Sequence, residues 1–218
     1  MKKLILALLA LNLCYGTYAQ DSFKEGKIVT TQTMTTDNEQ AQAQLAMIGA
    51  IETVSYFKNK KTRAESSTPM TGKMVNIVDG DANKMLTFMD NPSIGKVFTL
   101  QDISLSNEDK QDILVKKGSE TKTILGYECQ QYFVNMAKDG QDVSMELFTT
   151  KAIPAFSQQT ALFSEKLSGY PMYWSMDLKQ MGTLMTITNE VTAINEEQVA
   201  AGIFDLTPPE GYKDMQPK

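Results

Sequence analysis

Met172-Tyr173-Trp174-Ser175-Met176-Asp177-Leu178, followed by Lys179-Gln180 and Met181-Gly182-Thr183-Leu184-Met185-Thr186-Ile187, is the stretch that decides the fold. Met172, Trp174, Met176 and Leu178 fall at every second position, and so do Met181, Thr183, Met185 and Ile187. A period of two places each set on one side of a β-strand. With Lys179-Gln180 as a tight link, Met172–Leu178 and Met181–Ile194 form an antiparallel hairpin that carries a long methionine-rich apolar stripe.

The same alternation runs outward through the chain. Ile28–Met34, Ile51–Phe57 and Lys61–Glu65 read as strands. Met74–Val78 and Met85–Met89 flank Asp79-Gly80-Asp81-Ala82-Asn83, and Tyr127–Met136 and Val143–Thr149 flank Lys138-Asp139-Gly140-Gln141, both hairpin loops by composition. About ten hairpin-connected strands predict one meandering antiparallel sheet. Two segments break the pattern. Thr36-Asp37-Asn38-Glu39 has the form of a capping box, and Ala41, Leu45 and Ile48 follow at helical spacing, so a helix is expected over 37–48. Pro154 near a helix start, with Ala155, Phe156, Leu162 and Phe163 able to share a side, predicts a second over 153–167. The fold class expected is mainly β (α+β), with short helices over a sheet face.

Lys2-Lys3, the apolar run Leu4–Leu13 and Thr17-Tyr18-Ala19 have the three parts of a secretory signal, so residues 1–19 are read as a cleaved signal peptide and residues 20–218 as one domain. The location implied is periplasmic or secreted, with no transmembrane segment. Cleavage removes two lysines and no acid, which takes the formal net charge from −5 to −7. An acidic body without a Lys/Arg block cannot make the phosphate contacts that dominate nucleic-acid binding. Cys14 leaves with the signal, and Cys129, then alone, reads as a small buried hydrophobe.

The chain contains no histidine, which excludes Ser-His-Asp and Cys-His nucleophiles, His-ligated zinc and an imidazole pH switch. Asp79, Asp81, Asn83 and Asp90 imitate a calcium loop, but Lys84 stands where the turn needs Gly, and an Asp/Asn/Gly-rich hairpin turn explains the segment better. No carboxylate pair stands out for hydrolysis, and Tyr127, Tyr132 and Tyr170 are weak proton donors at best. The protein is therefore read as non-enzymatic, with no metal or cofactor. The 14 methionines are the distinctive feature. Unbranched and polarizable, methionine suits irregular or varied apolar ligands as well as a core. Met85, Met89, Met172, Trp174, Met176, Met181 and Met185 are the candidate lining of an apolar cavity.

Tyr56-Phe57-Lys58 with Lys61-Thr62-Arg63-Ala64-Glu65, then Thr123–Cys129, then Gly169-Tyr170-Pro171-Met172, and the ending Phe204-Asp205-Leu206-Thr207-Pro208-Pro209-Glu210-Gly211-Tyr212 together resemble a secreted bacterial family of unknown function. Its members look like the outer-membrane lipoprotein carriers LolA and LolB in fold. The resemblance implies a strongly curved, unclosed half-barrel with helices over its mouth and an apolar cavity between. It also implies a gating role for Arg63, whose counterpart in the carriers helps hold a helical lid closed. The function expected is binding of a lipid or lipoprotein acyl chain in the concave face, by a monomer whose partners are apolar molecules or envelope proteins. The alternative is a structural or interaction module with a fully packed core.

Overall fold

The computed structural model describes residues 24–103, 113–138, 141–157, 163, 167–180 and 183–215. The strands are β1 (Glu25–Thr36), β2 (Ile51–Lys58), β3 (Lys61–Thr68), β4 (Gly72–Asp79), β5 (Lys84–Asn91), β6 (Gly95–Asp102), β7 (Ile113–Ile124), β8 (Tyr127–Lys138), β9 (Gln141–Thr150), β10 (Tyr170–Gln180), β11 (Thr183–Glu196) and the short β12 (Lys213–Asp214). They form one 12-stranded sheet in the order β12-β6-β5-β4-β3-β2-β1-β11-β10-β9-β8-β7, not closed into a barrel. Consecutive strands pair as antiparallel hairpins throughout the middle, and β1 joins the two halves by pairing with both β2 and β11. The expected open, mainly β architecture is what forms.

Helix α1 (Glu39–Ile48) bridges β1 and β2. Its N-cap is Asn38, whose Oδ1 accepts from the Ala41 N–H at 2.9 Å. The anticipated cap, Thr36, is instead the last residue of β1, and its hydroxyl donates to the Leu184 carbonyl at 2.8 Å. Ala41, Leu45 and Ile48 are half-buried and no helix residue is fully buried. The helix therefore sits at the end of the sheet beside β1.

The helix expected over 153–167 does not form in its first part. Residues 153–157 are irregular, and Ile153, Ala155 and Ser157 are buried while Pro154 is exposed. That period-two burial belongs to an extended strap lying on the sheet. The Thr62 hydroxyl on β3 pins it by donating to the Phe156 carbonyl at 2.9 Å. The link between β10 and β11 is also shifted: β10 runs through Gln180, which pairs with Thr183. Met181 lies outside the described residues, as do residues 1–19, read above as a signal peptide, and Asp139-Gly140 of the expected hairpin loop.

Three apolar clusters hold the sheet. Ile28, Phe57, Met172 and Val191 pack with Ile153 and Ala155 of the strap. Tyr132, Val134, Met145, Leu147 and Trp174 pack with Phe163 and Leu167. Val75, Ile77 and Leu86 pack with Val199 and Phe204 of the C-terminal segment, whose 3-10 turn spans Ala201–Phe204. Cross-strand registers put Met172 and Trp174 on one face and Val75, Ile77 and Leu86 on the other. The strap thus packs on the methionine face and the C-terminal segment on the opposite face.

Candidate functional site

Direct cross-strand partners share a face, so the registers decide which candidate residues stand together. On β10, Met176 pairs with Met145 of β9 and Ile187 of β11, and Ile187 pairs with Met34 of β1. One step further along the strands, Leu178 pairs with Val143 and Met185. Met172, Trp174, Met176 and Met185 therefore lie on one continuous surface, as the alternation predicts. Met85 and Met89 belong to the same face by register, through Val78 and Met74 of β4, but sit on β5 with four strands between them and β11. On the strands between, Ser55, Ala64 and Asn76 share this face with the buried Ile28, Phe57 and Val78.

Burial on this face is graded. Met172 is completely enclosed and Trp174 nearly so, under the strap residues Ile153, Ala155, Phe163 and Leu167. Met34, Met176, Leu178, Met185 and Ile187, further from the strap, are half-buried. Met34 and Met145 were not among the sequence candidates. Met34 closes the β-branched run of β1 at the same parity as Ile28, which is the signal that could have found it.

Arg63 stands elsewhere. It projects from β3 on the opposite face, where its Nε donates to Glu65 Oε1 at 2.7 Å and its Nη1 to the Ile203 carbonyl at 3.2 Å, with the guanidinium 5.8 Å from the Phe88 ring centroid. It ties down the C-terminal 3-10 turn, not the strap over the methionines. Lys58 and Glu25 assist: Lys58 Nζ donates to Glu25 and to the Val199 carbonyl, and Glu25 accepts from the Val199 N–H at 3.0 Å. Tyr212, which ends the Pro-Pro-Glu-Gly-Tyr motif, meets Phe88 edge-on with centroids 5.4 Å apart.

The titratable groups serve the fold. Asp79 receives a 2.7 Å bond from Lys61 and two from the Asp81 and Ala82 N–H groups, which makes the calcium-like loop a closed Asp turn. The Lys61 bond, then those N–H groups, hold its carboxyl below the ordinary 3.8 against the opposing effect of burial. Burial would raise Glu65, but bonds from Arg63 and Lys73 outweigh it and the carboxyl titrates below 4.5. Bonding to Asp79 in turn raises Lys61. The carboxylates contribute stability that is present above their unfolded range and lost as pH falls through the lowered folded values; the Lys61 contribution is lost only as pH rises through its raised value. The thermal midpoint is expected to hold steady near neutrality and fall in the acid range below about pH 4. Asp79→Asn should flatten that acid limb. An unchanged limb would deny the pair its role.

Cys129 is fully buried, and burial, the leading cause, pushes its thiol up to about 11. A neutral, enclosed thiol is unreactive. A thiol reagent should label it only when denaturant unfolds the chain, and rapid labelling of the native protein would contradict this placement.

Among solved structures, the chain is similar in fold to PNGF-II in a C2 crystal form, with 14% identity, 87% of this chain and 30% of that chain covered, and a TM-score of 0.49. PNGF-II in a P21 form gives 14%, 88%, 31% and 0.48. The Mycobacterium tuberculosis lipoprotein LppX gives 8%, 90%, 100% and 0.31. The chain spans less than a third of PNGF-II. No curated protein matches it in sequence. A family model does match, over residues 33–212, from the end of β1 to Tyr212 and so across the sheet, the strap and the C-terminal segment. The chain belongs to the DUF4412 family, described as a domain of unknown function.

Proposed function

We propose that the protein binds an apolar, acyl-chain-like ligand without converting it, on the half-buried end of the methionine-lined face, as a monomer of the cell envelope. The observation that carries this is the burial gradient. A strand face that met only water would favour polar side chains at alternate positions, yet Met34, Met176, Leu178, Met185 and Ile187 adjoin one another where the described strap residues do not enclose them. Flexible thioethers can repack around an irregular chain. Each methylene buried there would contribute about 0.8 kcal/mol. The strap occupies the other end of the face and sets how far a ligand could enter. A binding role without chemistry fits the absence of histidine and the state of two groups buried in the sheet: burial raises Tyr170 as it does Cys129, so both stay neutral.

The test is titration with a fluorescent fatty acid. Wild type should bind, and Met176→Asp/Met185→Asp should lose at least about tenfold in affinity while keeping its melting temperature, since both residues are only half-buried. Absence of binding by wild type would overturn the proposal. A second reading, a scaffold with a filled face, is favoured by the packing of Phe163 and Leu167 on Trp174. It expects the double variant to melt far lower and wild type to bind nothing.

A further inference from the structure

The two rims of the sheet differ in chemistry. At one rim lie the β2–β3 turn, Asn59-Lys60, and the β4–β5 turn, residues 80–83, joined by a Lys60–Asp81 ion pair at 3.2 Å. These are polar turns of the kind water favours, and Leu125 in the β7–β8 turn is the one large exposed apolar residue there among the described residues. The other rim carries Ile94 on the β5–β6 turn, Met70 on the β3–β4 turn, Met47 on α1 and Leu184 at the start of β11, in that order along the sheet. Their exposures are 56%, 64%, 87% and 39%. Single exposed apolar residues are ordinary. Three on successive connections at one rim, with a fourth at the start of the neighbouring strand, are not.

Turn chemistry does not require them. Gly72 (φ +70) and Gly95 (φ +81) supply the left-handed conformations, and a Cβ on Gly72 would run into the Asp90 carbonyl. Asn91 Oδ1 accepts from the Ser93 and Ile94 N–H groups at 2.8 and 3.2 Å, and Thr68 Oγ1 from the Thr71 N–H at 2.9 Å. Asn91 Nδ2 then donates to the Thr71 carbonyl at 3.2 Å and ties the two tips together. Met70 and Ile94 project from turns already built by other residues. In Pro69-Met70-Thr71-Gly72-Lys73 and Pro92-Ser93-Ile94-Gly95-Lys96 a lysine follows the exposed apolar residue by three and two positions.

We infer that this rim docks on a neutral lipid surface, with Met47, Met70 and Ile94 entering the headgroup layer. Separate projecting side chains suit a fluid surface, which needs no shape complementarity, whereas a protein partner would require a packed apolar centre. Lys73 and Lys96 can extend back to phosphate while their stems lie among apolar groups. Nearby Asp90 and Glu65, which pair with those lysines at 3.9 and 3.2 Å, make the rim electrically mixed. Attraction to anionic lipid is therefore not the driving force. The rim lies at the end of the strands where the methionine face is half-buried, so a lipid leaving the bilayer there would meet Met34 and Met185 next. Docking itself does not depend on that ligand reading.

The test is co-flotation of the purified protein with phosphatidylcholine vesicles at moderate and high salt. Wild type is expected to float at both, and Met70→Asp/Ile94→Asp to lose at least about tenfold in partitioning with melting and fatty-acid binding unchanged. Four results would overturn the inference: wild type that stays in the aqueous fraction, a double variant that floats like wild type, binding that requires anionic lipid and vanishes with salt, or self-association in solution that the double variant abolishes. Fatty-acid binding without flotation would overturn docking alone, and flotation without fatty-acid binding would overturn the ligand reading alone.

Discussion

Phe204→Ala is expected to lower the free energy of unfolding by about 3–5 kcal/mol. Phe204 is nearly enclosed on the side of the sheet away from the methionines, where with Val199 it covers Val75, Ile77 and Leu86. On the other face of the same strands Val78 and Met85 are buried too, but Asn76 and Thr87 separate them from Met74 and Met89, so this cluster is the larger apolar anchor of β4 and β5. Removing the ring leaves a cavity that Ile203 and Leu206, partly buried beside it, cannot fill without moving a turn held by Arg63. Chemical denaturation measures the change, and hydrogen exchange should show β4 and β5 losing protection before β8 and β9. A loss below about 1 kcal/mol would mean that the C-terminal segment is an appendage.

The second large effect compares like with like. Met172→Ala should cost about 2–5 kcal/mol, whereas Met185→Ala should cost less than about 1 kcal/mol. The two residues have the same chemistry, lie on neighbouring strands and share a face. They differ in what covers them: Met172 has the strap above it and Met185 is half-buried. Equal losses in denaturant unfolding would show that the methionine face is one uniform core, which is the scaffold reading.

Period-two alternation makes most of the sheet legible, and by itself it puts Met172, Trp174, Met176 and Met185 on one surface. It was silent where alternation is weak. β7 is an edge strand whose middle is Lys, Glu, Thr and Ser with most side chains exposed, and its packed apolar residues, Ile113, Val115 and Ile124, lie only toward its ends, so it shows no continuous apolar face. β6 buries Val97 on one face and packs Phe98 and Leu100 on the other, which blurs the alternation. The strap failed for another reason: Ile153, Ala155 and Ser157 are spaced for extended chain, but Pro154 and the later apolar residues invite a helix. The family resemblance assigns Arg63 to a lid over the cavity, hence to the methionine face. Strand parity alone could have put it on the other side, since Thr62 and Ala64 take the methionine side, but the 3-10 turn it holds is separated from it by 140 residues in sequence.

The most direct test of the central claim is native mass spectrometry of the protein purified from its own envelope, with lipid extraction of the same sample. Ligand binding on the half-buried methionine face predicts a mass excess that releases an acyl-bearing molecule on denaturation, and its loss in Met176→Asp/Met185→Asp. A protein that carries nothing from its envelope and takes up no added fatty acid would contradict the claim.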